Sequence, residues 1–165
     1  MESQKMKNIS SPGMIIFDHD GTLVNTESSV FKVFPGIKEL LVDCKQLGFE
    51  FSVWTARSHR STVESLKSLD LAHFFTEIYG HDDGLSKPHT MGLTQITAGI
   101  EKKKVLHIGD SLGDIEGAQN FGIEVIAACW NSLNQVEIFQ KKTPYLAKKP
   151  SDCRAIIAHK FNVKL

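Results

Sequence analysis

Cysteine is scarce in this chain, and neither sign of charge is in excess. The three cysteines, Cys44, Cys129 and Cys153, are scattered and odd in number, which argues against a disulfide framework and suits a reducing, cytoplasmic setting. None forms a Cys-x-x-Cys pair, so the ligand spacing of a zinc site is absent. The 19 Lys and Arg balance the 19 Asp and Glu. A chain with no net charge is not a strongly basic nucleic-acid binder, although a local patch stays open. No apolar run approaches the roughly 20 residues of a membrane span, so no membrane partner is expected. The polar stretch Met1 to Pro12 lacks the apolar core of an export signal and reads as a flexible lead-in, leaving residues 13–165 as one domain. No internal repeat or low-complexity tract is present.

What the chain has is an ordinary globular balance, 41% hydrophobic and 23% charged over 165 residues, enough to bury roughly 70% of the unfolded surface without a structural metal. Short apolar runs alternate with helical patterns. Met14 to Phe17 is a continuous apolar run ending at Asp18. Ile37, Leu40, Leu41, Cys44 and Leu47 recur at helical spacing, and Gly48 suits the stop. Phe49 to Trp54 is the next strand, followed by a helix entered near Ser61 or Thr62 and a short strand at Glu77 to Tyr79. Pro88 is placed in the first turn of a helix running to about Ile100. Val105 to Ile108 and Ile123 to Ala127 are strands flanking a helix from Leu112 to Phe121. Weaker helices follow near Ser132 to Lys141 and Ser151 to Lys160, with an edge strand at Tyr145 to Ala147. This alternation predicts an α/β fold: a three-layer, Rossmann-like parallel sheet flanked by helices.

Such sheets bind ligands beyond the carboxyl ends of their strands. Those positions carry Asp18, Asp20, Gly21 and Thr22, then Thr55, Ala56 and Arg57, then Lys87, then Asp110, Ser111 and Asp114. Four carboxylates gathered at one edge repel each other unless a cation joins them. With oxygen ligands and no Cys or His cluster, that cation is expected to be Mg²⁺, which commonly engages phosphate oxygens. Lys87 and the Thr55 hydroxyl suit a phosphoryl group. Asp18 can serve as nucleophile and a carboxyl two residues on as acid and base.

Phe17-Asp18-His19-Asp20-Gly21-Thr22-Leu23-Val24 resembles the first motif of the haloacid dehalogenase superfamily. Thr55 closing an apolar strand is similar to the second motif, Lys87-Pro88 to the third, and Gly109-Asp110-Ser111-Leu112-Gly113-Asp114 to the fourth. The local phrasing is closest to the phosphoglycolate phosphatase-like branch. The resemblance implies a Mg²⁺-dependent phosphatase that hydrolyses phosphate monoesters through an aspartyl-phosphate. Asp18 would be the nucleophile and Asp20 the acid and base. Asp18, Asp20 (through its backbone carbonyl) and Asp110 would hold the metal. Thr55, Lys87 and backbone N–H groups near Asp20, Gly21 and Ala56 would hold the phosphoryl oxygens, and Asp114 would orient metal-bound water or Lys87. Asp at position 20 marks the phosphatases and phosphomutases of the superfamily, not its dehalogenases. The alternatives are a phosphotransferase or phosphomutase of the same superfamily and a non-catalytic, receiver-like phospho-binding module. The order of the strand-end residues argues against the last.

Thirty-five positions separate Asp20 from Thr55, and thirty-two separate Thr55 from Lys87. The elements above already fill both intervals, so a short flap from Val24 to Phe34 is expected and no inserted cap domain. An open site suits a bulky phosphorylated substrate, small or macromolecular, or a homo-oligomer that covers it. His19, Arg57, Ser58, His59, His81, Asp82 and Asp83 read as loop or core polarity before they read as substrate contacts. His107 reads as a satisfied core histidine. From Lys141 onward, seven Lys and Arg face Asp152 alone. A solvated helix face accounts for that better than nucleic-acid binding, since no aromatics interleave the charges.

Overall fold

A computed structural model describes residues 11–165; the expected lead-in lies outside them but for its last two residues. The elements in chain order are β1 (Met14–Phe17), β2 (Val24–Asn25), β3 (Lys32–Val33), α1 (Ile37–Gln46), β4 (Glu50–Trp54), α2 (His59–Ser68), β5 (Glu77–Tyr79), α3 (Met91–Ile96), β6 (Val105–Gly109), α4 (Leu112–Phe121), β7 (Glu124–Ala128), α5 (Val136–Phe139), β8 (Tyr145–Ala147) and α6 (Cys153–Phe161). Six strands form one sheet in the order β5-β4-β1-β6-β7-β8. Every pairing in it is parallel. Among the described residues, no helix is long and apolar enough to cross a membrane.

Strand alternation explains the layers. On β1, Ile15 and Phe17 face a core shared with Leu40 and Leu41 of α1, Leu66 of α2 and Ile157 of α6. Met14 and Ile16 face the opposite core, with Leu93 and Ile96 of α3, Ile115 and Ala118 of α4 and Phe139 of α5. A parallel sheet covered on both faces reads in sequence as continuous apolar runs, which is why the strands were legible.

The flap is a two-stranded antiparallel hairpin of β2 and β3, pairing Val24 with Val33 and Asn25 with Lys32. No separately folded unit interrupts the described chain between Asp20 and Thr55 or between Thr55 and Lys87.

Several boundaries differ from expectation; α5 spans only Val136–Phe139 of the helix expected near Ser132 to Lys141. Helix α2 begins at His59, because Ser58 is its N-cap and accepts from the Ser61 N–H. Pro88 is not in the first turn of α3. The Lys87–Pro88 bond is cis, and the helix opens three residues later at Met91, whose N–H donates to His89 Nδ1. That helix also ends early, at Ile96 instead of near Ile100, and Gly99 turns the chain at φ 80°.

Candidate active site

Strands β1, β4 and β6 lie side by side at the centre of the sheet, so their carboxyl ends open onto one place. A cavity of about 480 Å³ there is lined by Asp18, Asp20, Thr55, Ala56, Arg57, Lys87, Asp110 and Ser111. Every strand-end residue singled out from the sequence lines it except Gly21, Thr22 and Asp114, which lie immediately behind.

Lys87 is the pivot. Its Nζ donates to Asp18 Oδ1 at 2.9 Å, to Asp114 Oδ1 at 2.6 Å and to the Trp54 carbonyl at 3.0 Å. Three donors are thereby matched to three acceptors, and the ammonium lies 5.1 Å from the centre of the Trp54 ring. Burial alone would push this lysine down, but the charges of Asp114 and Asp18 override it and hold Lys87 above the usual lysine range.

Asp114 is fully buried and engaged on both oxygens. Oδ1 takes Lys87 and faces Nε2 of His107 at 2.8 Å. Oδ2 accepts from the Ser111 N–H at 3.1 Å and the Ser111 hydroxyl at 2.7 Å, closing a capping box at the start of α4. Burial raises its affinity for a proton, yet Lys87 and His107 outweigh burial and keep Asp114 far below the ordinary carboxylate range. His107 spans from there to the Ile16 carbonyl at 2.7 Å. The residue expected as a core histidine is therefore also the back support of Asp114.

Asp18 is the less satisfied partner. Its Oδ1 accepts from Lys87 and from the His19 N–H at 2.8 Å, while the carboxyl also lies against that of Asp110. Burial first, and then the Asp114 charge, push Asp18 well above the ordinary value against the pull of Lys87. Burial likewise raises Asp110. Asp114 keeps the negative charge because it holds more donors; Asp18 and Asp110 are left short of positive charge. Carboxylate oxygens of Asp18, Asp110 and Asp114 all lie within 4.8 Å of one another. That donor set, hard oxygens with a deficit of positive charge, fits a divalent cation such as Mg²⁺.

The carboxylate of Asp20 is turned away from this trio. Oδ1 and Oδ2 accept from Nε and Nη2 of Arg57 at 2.8 and 2.9 Å, and His19 Nδ1 lies at 2.5 Å from Oδ1. Burial would raise Asp20, but His19 and Arg57 prevail and hold it well below the ordinary range. His19 is itself fully buried and reaches Ser65 with its other nitrogen at 2.8 Å. The site therefore brings together three of the four expected carboxylates. The fourth is paired with an arginine that the sequence left as loop polarity.

Thr55 and the motif-one turn complete the rim. Thr55 Oγ1 accepts from the Arg57 N–H at 3.1 Å. Thr22 Oγ1 donates to Asp110 Oδ1 at 3.3 Å. Gly21 has φ 79°, and a Cβ there would fall 2.0 Å from Asp110 Oδ2. Both facts demand glycine. Gly21→Ala is accordingly expected to displace the Asp110 carboxylate and lower turnover about 100-fold, read as kcat with the metal requirement titrated in parallel. Trp130, beyond the segment that carried the motifs, pins the same turn by donating Nε1–H to the Thr22 carbonyl at 3.0 Å. No local pattern marks that contact in the sequence. His59, Asp82 and Asp83 instead close a surface turn: Asp82 accepts from the His59 N–H and Asp83 from the Gly80 N–H. The basic C-terminal stretch is partly consumed within the fold, Arg154 bonding Asp43 at 2.6 Å and Lys160 the Lys103 carbonyl at 3.1 Å.

A doubly covered parallel sheet with an Asp-x-Asp turn, a buried lysine and paired acids at its carboxyl edge defines a class. The haloacid dehalogenase-like hydrolase family matches residues 29–128, and the chain belongs to that family. It is similar to the pyrophosphatase PpaX of Bacillus mycoides, 26% identical over 144 residues that cover 86% of this chain and 64% of that protein. It is also similar to the phosphoglycolate phosphatase of Photorhabdus laumondii, 32% identical over 61% of this chain and 43% of the relative. The chain thus spans less than two thirds of the length of these curated relatives. The fold is shared with a crystal structure of a predicted phosphoglycolate phosphatase from Haemophilus somnus (TM-score 0.79, 19% identity, 90% of this chain and 99% of that one). It is shared as well with a hydrolase of the same superfamily from Ehrlichia chaffeensis (TM-score 0.76, 18% identity, 94% of this chain and 100% of that one).

Proposed function

We propose that this protein is a Mg²⁺-dependent phosphatase acting on phosphate monoesters through an aspartyl-phosphate on Asp18. The observation that carries this reading is the Asp18 carboxyl at the floor of an open cavity, oriented through one oxygen by Lys87 and the His19 N–H and set against Asp110. Asp18 and Asp110, with the Asp20 carbonyl, would hold Mg²⁺, which supplies charge neutralisation for the phosphoryl oxygens. The residues do the rest. Asp18 attacks phosphorus while the bond to the leaving oxygen breaks, and Asp20 gives that oxygen its proton. Asp20 then takes a proton from water as the water attacks phosphorus, which frees Asp18 and releases inorganic phosphate. Thr55 and N–H groups near Gly21 and Ala56 hold the non-bridging oxygens, and Asp114 fixes Lys87 beside the nucleophile.

The relatives named as a pyrophosphatase and a phosphoglycolate phosphatase support phosphoryl hydrolysis as the reaction. A mutase or transferase gains least from this architecture, because water reaches an uncovered site as readily as a second acceptor. Chelation is expected to bring turnover of phosphate esters to background, and added Mg²⁺ to restore it. Mg²⁺ should also raise the thermal midpoint, since a cation at 100 times its Kd stabilises the folded state by about 2.7 kcal/mol. Metal-independent turnover would overturn the reading.

A further inference from the structure

Trp54 ends β4 immediately before Thr55 and is fully buried in the core shared with α3 and α4. The fold accommodates this indole at a cost. A Cβ on Gly92 of α3 would fall 2.7 Å from the indole nitrogen, and a Cβ on Gly117 of α4 would fall 2.5 Å from Cη2 of the same ring. Two helices thus carry glycine, a poor helix former, where alanine would clash. Among the described residues, the Trp54 indole N–H is also the buried side-chain donor that lacks a hydrogen-bond partner, and such a group destabilises a fold. A leucine or valine would fill a strand position facing this core without either penalty. Burial alone does not account for tryptophan here.

The contacts of the ring lead to the site. Lys87 Nζ lies over it, 5.1 Å from its centre, within the range at which an ammonium is attracted by an aromatic face. His107, which backs Asp114, meets the ring edge-on with centroids 5.2 Å apart. The Trp54 carbonyl accepts from the same ammonium at 3.0 Å. The Lys87 side chain is only 5% accessible, so water is a poor substitute for a partner that changes. One of its two carboxylate partners does change: as the proposed nucleophile, Asp18 becomes an acyl phosphate and its carboxyl loses its charge. The indole is the same at every stage of the cycle.

We propose that Trp54 is a positioning residue that acts through Lys87: its ring face holds the ammonium in place while Asp18 is phosphorylated and no longer pairs with it as a free carboxylate. This rests on the phosphatase reading of Asp18. The ring suits the task because it attracts a cation without offering a charge that would draw Lys87 away from the phosphoryl oxygens. The carbonyl at position 54 survives any substitution, so only the ring is put to the test.

The experiment places tryptophans bearing one, two or three ring fluorines at position 54 alone and compares them with Trp54→Phe and Trp54→Leu on p-nitrophenyl phosphate. Fluorine draws electron density from the ring face and leaves its shape nearly unchanged. Along the fluorinated series, kcat per folded molecule is expected to fall stepwise, by about tenfold in all, with KM and the melting midpoint little moved. Trp54→Phe, which keeps a weaker face, should retain more kcat than Trp54→Leu, which has none. If Trp54→Leu does not fold, the fluorinated series and Trp54→Phe still decide the matter. A kcat that stays level along the series overturns the proposal, because a ring that only packs is indifferent to its charge distribution. A loss expressed in KM alone overturns it as well. Metal-independent turnover of the ester, or wild-type turnover by Asp18→Asn, would instead refute the phosphatase reading beneath it.

Discussion

Asp18→Asn is expected to abolish turnover and, in the same molecule, to raise the thermal midpoint of the metal-free protein. An amide cannot attack phosphorus as a carboxylate does, so kcat should fall by a factor of about 10⁴ or more, the scale seen when a nucleophile is removed from a cooperating site. The stability change has the opposite sign, because Asp18 is buried beside Asp114 and Asp110 and is held well above the ordinary carboxylate value of 3.8. A group raised in the folded state contributes its stability below the unfolded value and loses it as pH climbs through the folded one. Asn never takes up that charge. The variant should match the wild type in acid and exceed it at neutral pH by about 1 kcal/mol, the usual return for relieving a strained functional site. For a chain of this size that is roughly 2–4 °C. Melting curves at pH 4 and pH 8 without metal test the sign, and added Mg²⁺ should reverse the ranking by stabilising the wild type more. Retained turnover, or a variant less stable than the wild type at pH 8, would contradict the assignment.

Asp114→Ala should be the most damaging single change to the fold at this site. The substitution strips acceptors from a lysine whose side chain is almost wholly covered, a buried histidine, and the N–H and hydroxyl of Ser111. Breaking one side of a buried charge pair costs about 3–5 kcal/mol, and the α4 capping box loses its reciprocal half, while the Ser111 hydroxyl still accepts from the N–H of residue 114. Here the pH dependence runs the other way. Asp114 is held far below its ordinary value of 3.8, so its contribution is complete above that pH and declines as the pH falls below it. Denaturant titrations should therefore show a wide gap between wild type and variant at pH 7 and a narrower one at pH 3. Turnover should fall too, because Lys87 loses its shortest bond. Asp114→Asn, which keeps the shape and some acceptors, should lie between. A gap that stays constant with pH would mean that Asp114 stabilises by packing and not by charge.

Much of this was readable from the chain. The apolar runs of β1, β4, β6 and β7 announced a sheet covered on both faces, and the rule that ligands sit beyond strand ends pointed to Asp18, Thr55, Lys87 and Asp110. The periodic Ile37, Leu40, Leu41 and Cys44 announced α1 for the same reason: burial on one face leaves a spacing in the sequence. Pairings between polar side chains leave none. The fork of Arg57 on Asp20 joins two loops 37 residues apart, and the Trp130 indole reaches Thr22 across 108. One signal was available for His19. Successive side chains at a strand end alternate sides, which sends the residue between Asp18 and Asp20 inward, where it meets Ser65. Helix ends were misjudged where a single residue decides them: Ser58 caps α2 from a position that reads as loop, and α3 waits until the chain has turned after Pro88.

The position of β1 has a consequence for how the chemistry comes into being. It pairs with β4 on one side and with β6 on the other, and its partner Val105 lies 91 residues further along the chain than Met14. Asp18, Thr55, Lys87 and Asp110 arrive on four separate stretches, and the pairing that joins the last of them closes the longest loop in the sheet's centre. Such distant pairings are slow to form because loop closure is costly before contacts repay it. Partial chains or half-assembled intermediates would therefore hold isolated acids without their lysine, inert towards phosphate. The proposed activity is a property of the finished sheet, and none of its fragments is expected to inherit a share.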